Sequence, residues 1–566
     1  MSTRRKLQQA TEAMRANRGP EAVAILEELL GRVPDHLQAR WLLLQCLARG
    51  GDEAELQRQL QLLLQHAATN LEAINQVAAF LRQAARPLDP ALKAYERYLE
   101  SKPEAATAVF NYAWYLGKNG QFEAAIAAYG QALELGIGAP AEVHLNIANI
   151  LMDHLGKPEL AREHLLQALD LEPDYFGAHY NLGNLAEQLG DREEATRRFE
   201  RCLEIDPASE AALARLAEVH RFQNRHDPLL ARLESAARTS RDSDLHFALG
   251  RAYERLAEFD LAWRHFAQGN GLDRAIFPPY QRAEAEARFR RIQSACSREW
   301  LAAKSASESA SESGLDWGSS QRPVFICGMF RTGSTLLEQI LAAHPAFTAG
   351  GELEFFPRLV ARELPGFPDG LDRIHLQQMA GWRQAHAELC EKLGAAGRRL
   401  TDKRPDNFLY IGLIKAVLPA AKFIVTERDW RDVAASIFGT RLGPSQNYAT
   451  DLEDTAHYIE LQRVLVDHWA SLLGDDLLRV RYEDLVTRPR DAVAGLLQRL
   501  GEVWDERCLA FESQGGAVRT ASAWQVREPL HTRSIGRWRN YRQPFQVAFG
   551  VAFGDVFGDA PGPDVQ

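Results

Sequence analysis

Cysteine is scarce in this chain. The 566 residues hold six (Cys46, Cys202, Cys296, Cys327, Cys390 and Cys508), scattered and with no C-x-x-C pair. That spacing argues against a disulfide framework and against a cysteine zinc site. Long apolar runs are missing too. The basic start, Met1-Ser2-Thr3-Arg4-Arg5-Lys6, leads into no apolar core, so neither a signal peptide nor a membrane span is expected. Positive charge is in deficit, 66 Lys and Arg against 76 Asp and Glu, a net −10. This argues against non-specific nucleic-acid binding, and a cytoplasmic protein is the expectation. Nothing in the sequence sets the oligomeric state.

What is present is enough for two or more domains. The chain is too long for one ordinary core, and 46% hydrophobic with 25% charged residues is a globular balance. In the first half, Pro34, Pro103, Pro140, Pro173 and Pro207 recur near multiples of ~34 residues, the period of tetratricopeptide helix hairpins. One unit carries Gly183, Ala195, Phe199 and Pro207. Its neighbours carry Ala113, Ala125, Tyr129 and Ala132, then Ala148, Ala161 and Ala168, and a later one Gly250, Tyr253, Ala262 and Phe266. Small residues let paired helices approach, aromatics fill between hairpins, and proline ends the second helix. About seven hairpins are expected over 1–280, with degenerate units before residue 100 and a poor match at Arg221–Ser240. Such an array offers a concave surface for a protein or peptide partner. The scattered His144, His154, His164 and His179 read as packing or surface residues.

Phe277-Pro278-Pro279-Tyr280 interrupts this pattern. Arg282–Ala302 reads as a bridging helix and the Ser/Ala/Glu-rich stretch Ala303–Ser320 as a linker. Residues 281–320 therefore separate the array from a second domain, 321–566. That domain opens with the apolar run Pro323–Cys327, the loop Gly328-Met329-Phe330-Arg331-Thr332-Gly333-Ser334-Thr335, and an apolar-periodic stretch from Leu336. Strand, glycine loop and helix make an anion cradle from inward N–H groups and a helix N-terminus. The Gly-x4-Gly spacing is that of a phosphate loop. Ser334 stands where a triphosphate enzyme has lysine, and Arg331 is the loop's cation, so a compact anion fits better than a triphosphate chain.

The segment Arg322–Glu352, through Leu341-Ala342-Ala343-His344-Pro345 and Gly350-Gly351-Glu352, resembles the 5′-phosphosulfate-binding segment of sulfotransferases. It is most similar to the tyrosylprotein branch and to bacterial proteins that fuse that domain to tetratricopeptide repeats. The resemblance covers Gln321 to Tyr541. Phe330 replaces the family's frequent proline, and Thr332-Gly333-Ser334-Thr335 its commoner Ser-Gly-Thr-Thr; the arginine and hydroxyls are kept.

The resemblance implies roles. Glu352 corresponds to the catalytic base; Glu354 is the nearby rival, and His344, before Pro345, suits a helix cap. Thr401-Asp402-Lys403-Arg404-Pro405-Asp406-Asn407-Phe408 matches the Asp-Lys-x-Pro-x-Asn-Phe segment. Lys403 there meets the oxygen bridging phosphate and sulfate, and Asn407 orients the loop or the acceptor. The strand Phe423–Thr426 delivers Arg428 at its carboxyl edge and Ser436 on the following helix, the family's holders of the 3′-phosphate. Arg431 and Asp432 read as structural, and Tyr482-Glu483-Asp484-Leu485 as scaffold. The basic stretch Gly515–Tyr541 holds Ser522, Gln525 and Arg527, which resemble a cofactor lid; Glu528 takes the lid lysine's place. Trp524 and Trp538 read as core residues more than as adenine platforms.

The expectation is an α-solenoid followed by a P-loop-like three-layer α/β domain with a parallel sheet. It implies sulfuryl transfer from 3′-phosphoadenosine 5′-phosphosulfate (PAPS) to a hydroxyl, first a peptide tyrosine held by the array, otherwise a glycan or small-molecule hydroxyl. Catalytic residues are Glu352, Lys403 and Arg331; the cofactor set is Arg331, Thr332, Gly333, Ser334, Thr335, Arg428, Ser436, Ser522 and Arg527. An inactive repeat scaffold and a P-loop kinase are the readings from other classes. The intact residue set argues against the first, and Ser334 with the Arg428/Ser436 pair against the second.

Overall fold

The computed structural model describes residues 3–50, 52–67, 69–306, 322–395, 397–513 and 527–550. The chain forms two compact units, Met1–Leu185 and Ala186–Gln566.

Helices fill the first unit, from Thr3–Arg15 to Pro158–Leu171 and into Phe176–Leu189. The first helices of later hairpins begin at Ala106, Pro140, Phe176, Glu210 and Ser243, steps of 34, 36, 34 and 33 residues. Ala113, Ala125, Ala132, Ala148, Ala161 and Ala168 are fully buried, which lets paired helices close. Pro34, Pro103, Pro173 and Pro207 each follow a helix C-cap residue, as expected of a helix terminator. Pro140 does the reverse and opens helix Pro140–Asp153, because a first-turn residue needs no intrahelical N–H bond. Sixteen helices between Thr3 and Ile276 are enough for eight hairpins where seven were expected. The degenerate units before residue 100 fold as regular pairs.

The second unit begins with repeat helices and continues into the α/β domain. In its hairpin Ser243–Arg255/Phe259–Ile276, a β-carbon on Gly250 would overlap the Phe266 ring. The poorly matched stretch contains a short helix, Pro228–Ala237, whose cap Asp227 also pairs with His220 at 2.8 Å. The bridge is two helices, Arg282–Ala295 and Arg298–Ala306, broken at Cys296-Ser297. Its Phe289, Ile292 and Cys296 join the core of the α/β domain. Within the expected linker Ala303–Ser320, residues 307–320 lie outside the described residues.

Five parallel strands, β1 (Val324–Gly328), β2 (Phe347–Ala349), β3 (Arg399–Lys403), β4 (Lys422–Glu427) and β5 (Leu477–Arg481), form one sheet in the order β2-β3-β1-β4-β5. Helices cover both faces, so β1 is buried throughout: Phe325 and Cys327 enter one core, Val324 and Ile326 the other. From β1 the chain crosses to one side of the sheet and from β4 to the other. Strand order thus reverses between β1 and β4, the place where open α/β sheets leave a crevice at their carboxyl edge. Among the described residues no helix is long and apolar enough to cross a membrane.

Candidate active site

Four strands deliver chemistry to that edge. After β1, Gly333 takes φ +92°, and a β-carbon there would strike the Tyr482 ring. Helix Ser334–Ala342 starts directly behind it, with Ser334 and Thr335 buried in its first turn. Arg331 adopts φ 71°, a left-handed conformation costly for a residue with a β-carbon. Two bonds from β4 and its loop hold this turn: Thr332 Oγ1 and Thr426 Oγ1 are 2.7 Å apart, and Arg428 Nη1 donates to Arg331 O at 3.0 Å.

Arg331 Nε donates to Ser436 Oγ at 3.0 Å, and Ser436 is buried in helix Trp430–Phe438. Arg428 lies over the Tyr482 ring at 4.6 Å and donates to Ser534 O, yet its Nε is buried with no hydrogen-bond partner among the described residues. Arg331, Arg428 and Ser436 are therefore one cluster. Burial first, then the Arg537, Arg428 and Arg251 guanidiniums, lower the Arg331 pKa to about 9, which leaves it protonated at neutral pH. Burial lowers Arg428 as well. Buried, mutually repelling guanidiniums with an orphaned donor fit a phosphate-bearing ligand.

On the other side of β1, the loop after β2 runs along β3. Gly350 N donates to Thr401 O (2.9 Å) and Lys403 N to Gly351 O (2.8 Å). This places Glu352 against Lys403, whose Nζ is 2.5 Å from Glu352 Oε1. Lys403 is fully buried, in register with Ile326 on β1, while Glu352 is 38% exposed. Asn407 donates to Asp402 Oδ1 at 3.1 Å and so ties the loop after β3 to its strand; burial pushes the Asp402 carboxyl well up.

The other expected residues sort as follows. Glu354 is an exposed partner of Arg358. His344 is buried with both ring nitrogens on backbone groups, Nδ1 accepting from Ala346 N and Nε2 against Val503 O, as a cap. Asp432 accepts from Gly536 N and Trp538 N, and Arg431 pairs with Asp429. Trp538 is buried between Arg431 and Arg539. Arg527 donates to Gln188 O in the repeats and touches Gly190, so it is not brought to the loop cluster. Ser522, Trp524 and Gln525 lie outside the described residues.

Sequence reasoning missed two contributors, Glu338 and Glu254, and read Tyr482 as scaffold. Glu338, the one charged residue of helix Ser334–Ala342, accepts from Gly351 N (3.0 Å) and Thr401 Oγ1 (2.9 Å) and so anchors the loop that carries Glu352. Burial raises its carboxyl, against the pull of Lys403. An acid alone in an apolar helix was the available signal. Tyr482 backs both Gly333 and Arg428. Glu254, a repeat residue, holds Arg537 in a fork of 2.6 and 2.7 Å, and no local pattern could have paired residues so far apart. Among the described residues no group of three or more His, Cys, Asp or Glu side chains is placed to hold a metal ion.

Comparison with known proteins matches separate parts of the chain to two families. Residues 323–506 match the sulfotransferase family, and 7–55, 72–140, 149–190 and 176–209 match tetratricopeptide repeats. An uncharacterized protein of Aquifex aeolicus (strain VF5) is 30% identical over 40% of this chain and 31% of its own length. Protein-tyrosine sulfotransferase 1 of Danio rerio is 25% identical over 38% of this chain and 65% of its own, and the protein-tyrosine sulfotransferase of Drosophila melanogaster 25% over 38% and 46%. The chain thus spans less than two thirds of each of these relatives. It carries tetratricopeptide repeats in its N-terminal region and a C-terminal sulfotransferase domain, distantly homologous to protein-tyrosine sulfotransferases.

Proposed function

We propose that the chain is a sulfotransferase that moves a sulfuryl group from PAPS to a hydroxyl, and that the acceptor is a protein or peptide tyrosine held by the repeat array. The observation that carries this reading is the contact of Lys403 with Glu352 at the same sheet edge as the Arg331–Arg428–Ser436 cluster. A lysine–glutamate pair lies on one side of β1 and a guanidinium cluster suited to an anion on the other, and the base and leaving-group roles are assigned to the pair.

In this reading the loop N–H groups, Arg331 and the hydroxyls Thr332, Ser334 and Thr335 hold the 5′-phosphosulfate, while Arg428 and Ser436 hold the 3′-phosphate. The donor supplies the sulfuryl group and a phosphate leaving group. Glu352 takes the acceptor proton as the oxygen bonds to sulfur. Lys403 donates to the oxygen released when the sulfur–oxygen bond breaks, where negative charge grows. Fixed cations do the neutralising, as in phosphoryl transfer, so no metal is invoked. Catalysis is assigned to 321–566 and acceptor capture to the array. A cytoplasmic setting completes the reading, in keeping with six free cysteines.

Calorimetry of the full chain with 3′-phosphoadenosine 5′-phosphate and with ATP tests it. Binding of the first and not the second is expected. Preference for ATP would make the domain a kinase, and binding of neither a scaffold.

A further inference from the structure

The terminal repeat hairpin, Ser243–Arg255 with Phe259–Ile276, grips the far end of the anion site. Asn270 Nδ2 donates to Phe438 O at 2.9 Å and Arg251 Nη1 to Gly439 O at 3.3 Å, filling two carbonyls at the C-terminus of the helix that bears Ser436. Asp273 and Asp244 pair with Arg441 just beyond it, at 3.1 and 2.6 Å. Trp263 stacks on Phe438 with centroids 4.4 Å apart.

The same hairpin holds an arginine from the other end of the domain. Glu254 accepts Nε and Nη2 of Arg537, and Tyr541 donates to the same carboxylate at 2.8 Å. Asp432 fixes the Arg537 backbone from the opposite side, through the N–H groups of Gly536 and Trp538. Arg537 Nη2 lies beside Gly439, three residues after Ser436. Its field on Arg331 is the largest of the like-charge effects there, ahead of Arg428. Arg331 on Ser436 and Arg537 beside Gly439 therefore share one helix end with Arg428 behind them; Glu254 neutralises only Arg537, and the charge left on the other two guanidiniums suits an anion.

We propose that this hairpin is a working part of the nucleotide site: Arg537 is a third guanidinium for the 3′-phosphate beside Arg428 and Ser436, and Glu254 is the positioning residue that holds it there. This rests on the nucleotide reading above. It makes a repeat residue a determinant of donor specificity, not of acceptor capture.

The test is calorimetry of the full chain with 3′-phosphoadenosine 5′-phosphate and with adenosine 5′-phosphate, which lacks the second phosphate. Glu254→Gln and Arg537→Met should each weaken the bisphosphate about tenfold or more and the monophosphate little, as loss of a charge-assisted contact requires. Arg537→Lys should recover part of the loss, and Glu254→Gln/Arg537→Met should bind no more weakly than Arg537→Met alone. An unchanged bisphosphate affinity, or equal losses for both nucleotides, would overturn the proposal and leave the hairpin a structural support. A wild-type chain that does not distinguish the two nucleotides would overturn the nucleotide reading and this inference with it.

Discussion

Lys403 Nζ and Glu352 Oε1 lie 2.5 Å apart, brought together from neighbouring strands by the backbone bonds of Gly350 and Lys403 along β3. The lysine is buried and the glutamate reaches solvent, so only the acidic half of the pair is accessible. In the proposed reaction Lys403 meets the leaving oxygen, where charge grows mainly in the transition state. Lys403→Ala should therefore lower turnover far more than nucleotide affinity. Normal turnover with only a raised KM would remove Lys403 from the reaction.

Arg428 has a buried donor without a partner among the described residues and a ring beneath it. Arg428→Ala should weaken 3′-phosphoadenosine 5′-phosphate by about 2–3 kcal/mol, the scale of a charge-assisted contact. Adenosine 5′-phosphosulfate, which lacks the 3′-phosphate, should bind as before. Equal losses for both ligands would contradict the assignment.

Glu338 gives a pH signature. Its folded pKa is raised by burial, so the protonated form is the stabilising one. That stability is full below the unfolded carboxyl value, about 4.3, and is lost as pH rises through the higher folded value. Glu338→Gln keeps an oxygen for Gly351 N and Thr401 Oγ1 and removes the charge. The variant's Tm should gain on wild type as pH rises from about 4 to 8, and the two should converge at the acid end. A constant difference across that range would show that Glu338 does not titrate in the fold.

Strand, loop and helix at residues 324–342 were legible because glycine spacing, a continuous apolar run and helical period all act within a few residues. The pairing of Glu352 with Lys403 was legible only through motif resemblance, since β2 and β3 lie some fifty residues apart in the chain and adjacent in the sheet. The bridge was half legible: its helical period showed, but not that Phe289 and Cys296 complete the α/β core. Contacts of Glu254 with Arg537 and of Asp273 with Arg441 left no local trace, because a charge buried in a pair and a solvated one read the same in sequence. Both pairs join residues on either side of 303–320, within the compact unit Ala186–Gln566.

The proposed capture of the acceptor by the array has its own consequence. A peptide with phenylalanine in place of the acceptor tyrosine should compete with the tyrosine peptide and leave sulfation of a small phenol almost untouched, since it occupies the array and not the reacting centre. Equal inhibition of both acceptors would place the peptide in the active site alone.

The central claim is sulfuryl transfer with Glu352 as base. It is tested most directly by acceptor-dependent release of 3′-phosphoadenosine 5′-phosphate from PAPS, with wild type and Glu352→Gln side by side. The expected result is release that requires a tyrosine peptide and falls roughly 10²–10⁴-fold in the variant, the usual contribution of a positioned base, while nucleotide affinity stays unchanged. Full activity in Glu352→Gln, or no release with any peptide, glycan or phenol hydroxyl, would contradict it.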